Sequence, residues 1–187
     1  KIQYGTSMCY PVSSMGSHVS VVPNHQLNRK TPLHTRANVA YFGTFGYELD
    51  LNKLSDEEIS EVKQQITFMK EYRELIQFGT FYRLKSPFEG NETVWMTVSE
   101  DKKTALVFWY RERNVVNADF TRVRLQGLDP DLIYRNEYNE TENYGDELMN
   151  LGLLTTDCTA GEPTSEDEPC TDYESRIYVL TTVARIP

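Results

Sequence analysis

The chain has 187 residues, 39% hydrophobic and 12% aromatic, enough for a packed core in one large domain or two smaller ones. Its net charge of −9 argues against nucleic acid as a partner, because neutralising phosphates requires an excess of lysine and arginine. No apolar run reaches the ~18 residues of a membrane span, so we expect no membrane partner. The first residues have the character of a helix interior, and we therefore expect a fragment or processed piece.

The first part of the sequence predicts alternating helices and strands. Residues 1–10 predict the end of a helix, and residues 16–22 (GSHVSVV) suit a short buried strand bounded by glycine and proline. Thr31-Pro32 predicts the start of a helix, with threonine as N-cap. Residues 45–51 predict a second strand. This order is typical of a repeating β/α arrangement.

A long helix follows the second strand. Ser55 and Glu58 have the spacing of a capping box, and Gly79 is a suitable stop. One apolar stripe at helical spacing predicts the buried face. The stripe consists of Ile59, Val62, Ile66, Met69, Tyr72 and Ile76.

From Thr80 the apolar period changes from helical to alternating, which predicts an antiparallel β-sandwich. Residues 1–79 carry equal numbers of acidic and basic side chains, so the whole net charge lies in residues 80–187. Both changes predict a domain boundary at Gly79. Residues 147–154 fit either a helix or a strand. The predicted strands are 81–84, 94–98, 105–111, 121–125, 132–135 and 177–183.

Three cysteines do not make a disulfide framework, and we expect a cytoplasmic protein. Cys9 lies in an apolar context that predicts burial. Cys158 and Cys170 bracket a polar insert and could form a bridge outside a reducing compartment.

The polar candidates for a site follow the first predicted strand. The three histidines, His18, His25 and His34, match no zinc spacing, so we expect no metal. His18 is either a hydrogen-bonded core histidine or a substrate-facing one. Asn24 and Gln26 follow a strand that would be parallel to its neighbour, where the loops of a β/α barrel form the active-site face. The alternative is a loop tied to its own backbone.

Two other patterns have both a functional and a structural interpretation. Glu48 and Asp50 share a strand face, and paired carboxylates are the groups of a glycosidase, yet Asp50 could simply begin a turn. Trp95, Trp109 and Tyr110 could line a sugar platform, although such residues in alternating strands are more often core. No glycine-rich phosphate loop or nucleophile elbow is present, so we expect no cofactor.

Several blocks of sequence, in order and spacing, resemble the family-36 glycoside hydrolases, the microbial α-galactosidases that act on melibiose and raffinose. The blocks are IQYGTS, MGSHVS, PNHQ, TR-x3-A-x-FG and FGYELDL, and later GDELMNLGLL and YESRIYVL. The resemblance implies a (β/α)8 barrel followed by a β-sandwich. Residues 1–79 would be the last two β/α units of the barrel, and residues 80–187 the antiparallel β-sandwich.

The resemblance also implies that the catalytic residues lie outside this chain. The family's nucleophile belongs to a Lys-Trp-Asp motif and its acid/base to a Ser-Asp motif upstream of the IQYGTS block. Trp95 is followed by Met96 and Trp109 by Tyr110, and no Ser-Asp pair precedes IQYGTS. A complete barrel needs roughly 250 residues. No catalytic residue can therefore be assigned here, and this chain alone should be inactive.

The resemblance implies a retaining α-galactosidase as the parent protein, homo-oligomeric at full length, with His18, Asn24 and Gln26 near the sugar-facing rim. One alternative is a non-catalytic carbohydrate-binding or assembly module in residues 80–187. Another is the same region of a family transglycosylase.

Overall fold

The computed structural model describes residues 1–115, 120–155 and 172–183. The chain divides into two units, Lys1–Gly79 and Thr80–Pro187. Cys158 and Cys170, with the expectation that they could form a bridge, lie outside the described residues.

The first unit alternates helices with two short parallel strands. Val19 pairs with Tyr47, and Ser20 pairs with Glu48. A helix connects the strands, so the predicted strand–helix–strand order is present. The elements are α1 (Ile2–Ser7), β1 (Val19–Ser20), α2 (Leu33–Ala40), β2 (Tyr47–Glu48) and α3 (Asp56–Phe78), with 3-10 turns at Val12–Ser14 and Leu51–Lys53.

The two strands are shorter than the sequence predicts. Phe45 has a left-handed backbone with φ +48°, so β2 cannot include it. Leu51 belongs to a 3-10 turn in which the Asp50 side chain accepts the backbone N–H of Asn52. α2 begins at Leu33, with Pro32 in place of Thr31 at the N-cap.

The capping box of α3 is confirmed. Ser55 Oγ accepts the Glu58 N–H at 3.2 Å, and Glu58 Oε2 accepts the Ser55 N–H at 2.9 Å. α3 ends at Phe78, and Gly79 follows with φ −65°, so the stop does not use a left-handed glycine.

The buried face of α3 matches the predicted stripe only in part, since Ile59 and Tyr72 are half-buried. Val62, Met69 and Ile76 are buried, but Ile66 is 36% exposed and Gln65 is buried instead. At about 100° per residue, Gln65 lies nearer than Ile66 to the centre of the arc formed by the three buried residues. The prediction that Ile66 belongs to the buried stripe is wrong.

The second unit is built on a six-stranded antiparallel sheet in the order β3-β4-β5-β10-β7-β8, with a separate two-stranded sheet β6-β9. Three elements are not predicted from the sequence: the edge strand β8, the helix α4, and the short strand β9 at the end of the ambiguous segment. The bounds are β3 (Thr80–Lys85), β4 (Glu92–Val98), β5 (Thr104–Arg111), β6 (Arg122–Val123), β7 (Ile133–Asn136), β8 (Glu142–Tyr144), α4 (Gly145–Asn150), β9 (Leu153–Leu154) and β10 (Glu174–Thr182).

One face of the large sheet carries the core of this unit. Residues of β4, β5, β7 and β10 share one buried cluster with Val123 of β6, Leu148 of α4 and Leu153 of β9. The small sheet and α4 therefore cover this face, where the sequence predicts a second full sheet. The alternation that predicts the strands does not determine which element covers them.

Cys9 is exposed, so the prediction that it is buried is wrong. It follows the end of α1 beside Tyr10, which is 63% exposed. The apolar neighbours that suggested burial are themselves on the surface.

Candidate functional site

The candidate site lies at the carboxyl ends of β1 and β2, where parallel strands direct the loops that bind ligands. Val19 is fully buried, whereas Ser20 is exposed, as the alternation of side chains along a strand requires. Ser20 and Glu48 are opposite one another and both are exposed. The polar face of this pair of strands is thus the face that bears Ser20 and Glu48.

α2 fixes the position of β1. Leu33, Ala37 and Ala40 of this helix are buried. Arg36 donates from Nη1 to the Ser20 carbonyl at 2.6 Å and from Nε to the Thr31 carbonyl at 3.0 Å. Burial lowers the pKa of Arg36, against the opposing effect of nearby carboxylates. This guanidinium joins the end of β1 to the start of α2.

α3 fixes the position of β2 through a buried glutamine. The Tyr47 hydroxyl donates to Gln65 Oε1 at 2.8 Å, and the Tyr41 hydroxyl donates to the Gln65 carbonyl at 3.3 Å. Burial raises the pKa of Tyr47 to about 12, with a contribution from the negative charge of Glu61. Tyr47 therefore lies on the helix-facing side of β2, and its neighbour Glu48 points to the other side.

His18 and Glu48 connect the two strands on that other side. His18 Nε2 lies 2.9 Å from Glu48 Oε2, and the two side chains are 44% and 68% exposed. The core-histidine interpretation of His18 is wrong. Its side chain is on the exposed face because Val19, the next residue, occupies the buried one.

The loop after β1 is organised by Asn24. Its Oδ1 accepts the backbone N–H groups of Gln26 at 3.0 Å and Leu27 at 3.1 Å. Asn24 thus ties the loop to its own backbone, which was the alternative to a ligand-binding role. Asn24 and Gln26 are both exposed. Their place at a sugar-facing rim stays a prediction.

Glu48 and Asp50, the two carboxylates predicted to share a strand face, have different contacts. Glu48 bonds to His18, whereas Asp50 Oδ1 accepts the Asn52 backbone N–H at 3.1 Å and its side-chain amide at 3.1 Å. Asp50 begins a turn, as the structural interpretation of this pair holds. A Ser-Asp pair does occur at Ser55-Asp56, but it starts α3 and lies downstream of the IQYGTS block.

Trp95 and Trp109 do not form the sugar platform considered from the sequence, and Tyr110 is half-buried. Trp95 is 4% exposed and Trp109 is 1% exposed. The guanidinium carbons of Arg111 and Arg176 lie 5.4 and 5.7 Å from the centroid of the Trp109 ring. The core interpretation of both tryptophans is confirmed.

Two negative findings apply to the part of the chain that the structure describes. Within it, no three His, Cys, Asp or Glu side chains are grouped as a metal site would need. None of its helices combines the length and the apolar character of a membrane span.

Comparison with known proteins agrees with this division of the chain. The Melibiase family model matches residues 1–79, and the model of the glycosyl hydrolase family 36 C-terminal domain matches residues 92–180. Both units are thus those of a glycoside hydrolase. The chain belongs to glycoside hydrolase family 36 and corresponds to a C-terminal part of its α-galactosidases.

Individual relatives are similar over most of this chain. The α-galactosidase AgaA of Geobacillus stearothermophilus is 54% identical over 153 residues, which are 82% of this chain and 21% of that protein. The crystal structure of the α-galactosidase from Lactobacillus brevis superposes with a TM-score of 0.90 at 42% identity, covering 98% of this chain and 24% of that one. This chain therefore spans about a fifth of the length of the curated relative.

Some of the similar structures contain sugars. A variant of AgaA crystallised in complex with raffinose has a TM-score of 0.87 and 46% identity, over 97% of this chain and 24% of that one.

The contact between His18 and Glu48 is not predicted from the sequence. The signal that could have paired them is their position: His18 lies in the first predicted strand, residues 16–22, and Glu48 in the second, residues 45–51, and the two strands are expected to be parallel neighbours.

Proposed function

We propose that this chain is the C-terminal part of a retaining α-galactosidase that hydrolyses terminal α-galactosyl residues of melibiose- and raffinose-type sugars. The observation that carries the proposal is the parallel β1–α2–β2 arrangement followed by α3, in the residues that the Melibiase model matches. The parallel pair constitutes the last two β/α units of a (β/α)8 barrel, and residues 80–187 are the β-rich C-terminal domain.

The nucleophile and the acid/base of the parent enzyme lie outside this chain, which is inactive by itself. Glu48 and Asp50 support this part of the proposal, since one is bonded to a histidine and the other caps a turn. In a retaining enzyme the two catalytic carboxyl groups instead face one another across the glycosidic bond, about 5 Å apart. This chain contributes the closing strands of the barrel and part of its sugar-facing rim, at His18, Asn24 and Gln26.

Exposed apolar side chains support a longer parent. Neighbouring units of a barrel would cover large apolar side chains that are on the surface of the first unit. They include Ile2 (87%), Met8 (64%), Tyr10 (63%), Val21 (58%) and Leu27 (65%). The parent is proposed to be a cytoplasmic homo-oligomer.

The test is the stereochemistry of raffinose hydrolysis by a polypeptide extended upstream through the Ser-Asp and Lys-Trp-Asp motifs. Proton NMR at early times should show α-galactose before it mutarotates, because two displacements restore the starting configuration. β-Galactose as the first product would contradict the retaining mechanism. Galactosylated oligosaccharides as the main product would favour the transglycosylase.

The binding-module alternative has a different test. Calorimetric titration of raffinose onto the 187-residue chain should give no saturable heat assignable to residues 80–187, since both tryptophans are buried. Saturable binding that Asn24→Ala and Gln26→Ala leave unchanged would favour a carbohydrate-binding module in the second unit.

A further inference from the structure

We propose that Glu48 is a hydroxyl-binding residue for the galactoside and that His18 positions its carboxylate. This inference rests on the proposed function and identifies two residues of this chain through which the sugar would be held. Glu48 is the acceptor in contact with a sugar hydroxyl, and His18 acts through Glu48.

The first argument is the place of the pair in the fold. Glu48 is the last residue of β2, and His18 immediately precedes β1. Ligands of parallel β/α sheets bind at the carboxyl ends of the strands. Glu48 is opposite Ser20, the last residue of β1. Each of the two strands therefore ends with a polar residue on the same face of the sheet.

The second argument is the direction of the side chains. Val19 is fully buried and Tyr47 donates to Gln65 of α3, so this face of the two strands belongs to the helices. His18 and Glu48 point the other way, where they are 44% and 68% exposed. In the proposed (β/α)8 barrel the side of the strands away from the helices faces the barrel interior, at whose carboxyl end the site is built.

The third argument is the unused hydrogen-bonding capacity of the carboxylate. His18 Nε2 lies 2.9 Å from Oε2 of Glu48. Among the described residues, none donates a hydrogen bond to Oε1 of Glu48. A carboxylate accepts several hydrogen bonds, and a sugar hydroxyl donates one. Because the histidine fixes the rotamer of Glu48, less side-chain entropy is lost when the sugar binds.

The size of the effect follows from the charge of the acceptor. Hydrogen bonds to charged groups contribute more than neutral ones, and the loss corresponds to about ten- to hundredfold in affinity. Glu48→Ala should weaken binding by this factor. Glu48→Gln keeps an acceptor oxygen without the charge and should weaken binding less. His18→Ala should have a smaller effect, and His18→Ala combined with Glu48→Ala should bind no more weakly than Glu48→Ala alone.

The experiment uses the upstream-extended protein and measures raffinose binding by calorimetry and raffinose hydrolysis by initial rates. Glu71→Ala is the matched control for the carboxylate, because Glu71 is an exposed residue of α3. His34→Ala is the control for the imidazole, because His34 is exposed on α2. Thermal unfolding of each variant reports whether the fold is retained.

The expected result is a raised Kd and KM for Glu48→Ala, an unchanged unfolding temperature and native binding by both controls. Native affinity in Glu48→Ala and Glu48→Gln, within about twofold, would overturn the inference. So would a lowered unfolding temperature with unchanged Kd, which would make the pair a structural bridge.

The proposed function fails separately if the native extended protein binds raffinose without hydrolysing it. In that case the ratio of dissociation constants still decides the role of Glu48. If the native extended protein binds no galactoside, the inference is overturned together with the proposed function.

Discussion

At the scale of single residues, one serine fastens the turn after α2 to the segment before β1. Ser17 Oγ donates to the Ala40 carbonyl at 2.5 Å and accepts the Phe45 N–H at 3.3 Å. The Thr44 N–H donates to the Met15 carbonyl at 2.9 Å. The chain can pass this closely only because Gly43, between them, has no side chain.

Gly43→Ala should destabilise the first unit by about 2 kcal/mol or more, through a strained backbone and a steric clash. Gly43 has φ +152°, and an added Cβ would lie 2.5 Å from the Met15 carbonyl oxygen. The measurement is urea unfolding of the 187-residue chain. Gly46→Ala is the control, since nothing lies within 4 Å of a Cβ there. Equal stability of the two variants would contradict this account.

Tyr47 should make stability depend on pH in the alkaline range. Burial raises its pKa to about 12 in the folded state, whereas an unfolded tyrosine titrates near 10. Between these values the unfolded state loses its proton first, so stability is complete below about pH 10 and falls as the pH rises towards 12.

Tyr47→Phe should therefore make the loss of stability between about pH 10 and 12 shallower. Some loss should persist, because burial also raises the pKa of Tyr41. Tyr10→Phe is the control, since Tyr10 is 63% exposed. The measurement is the free energy of unfolding against pH, and an unchanged slope in Tyr47→Phe would show that its hydroxyl is not protected as described.

At the scale of elements, α3 shows what an apolar pattern can and cannot predict. The cap at Ser55 and the burial of Val62, Met69 and Ile76 follow from local spacing. The burial of Gln65 does not, because a polar residue becomes a core residue only when partners such as Tyr47 reach it from another element. Those partners are distant in sequence, so a helical pattern cannot reveal them.

Two isoleucines of α3 provide a matched pair for this account. Ile76 is 1% exposed and Ile66 is 36% exposed. Ile76→Ala should cost about 2–4 kcal/mol through lost burial and a cavity, and Ile66→Ala less than about 1 kcal/mol. Denaturant unfolding measures both. A larger loss of stability in Ile66→Ala than in Ile76→Ala would contradict this account and place Ile66 in the buried stripe that the sequence predicts.

At the scale of the whole molecule, the order of the elements was more predictable than their partners. The change from helical to alternating spacing at Thr80 predicts most of the strands. It does not predict that β5 pairs with β10 across a long stretch of chain, nor that α4 and a two-stranded sheet cover the core. Likewise, the sequence gives His18 and Glu48 as separate candidates, but their contact depends on the parallel register of two strands.

The two tryptophans report on the second unit. Trp95 and Trp109, the only two in the sequence, are 4% and 1% exposed, so their fluorescence should be blue-shifted and poorly quenched by acrylamide. Raffinose should not alter either property. A sugar-dependent spectral shift would show that this unit offers an aromatic binding surface.

The most direct test of the central claim compares hydrolysis of an aryl α-galactoside by two polypeptides. One is the 187-residue chain, and the other is the same chain extended upstream through the Ser-Asp and Lys-Trp-Asp motifs. We predict turnover by the extended protein and none by the 187 residues alone. Turnover by the shorter chain, abolished by Glu48→Gln or Asp50→Asn, would place the catalytic carboxylates within it and contradict the assignment of this chain to the non-catalytic part of an α-galactosidase.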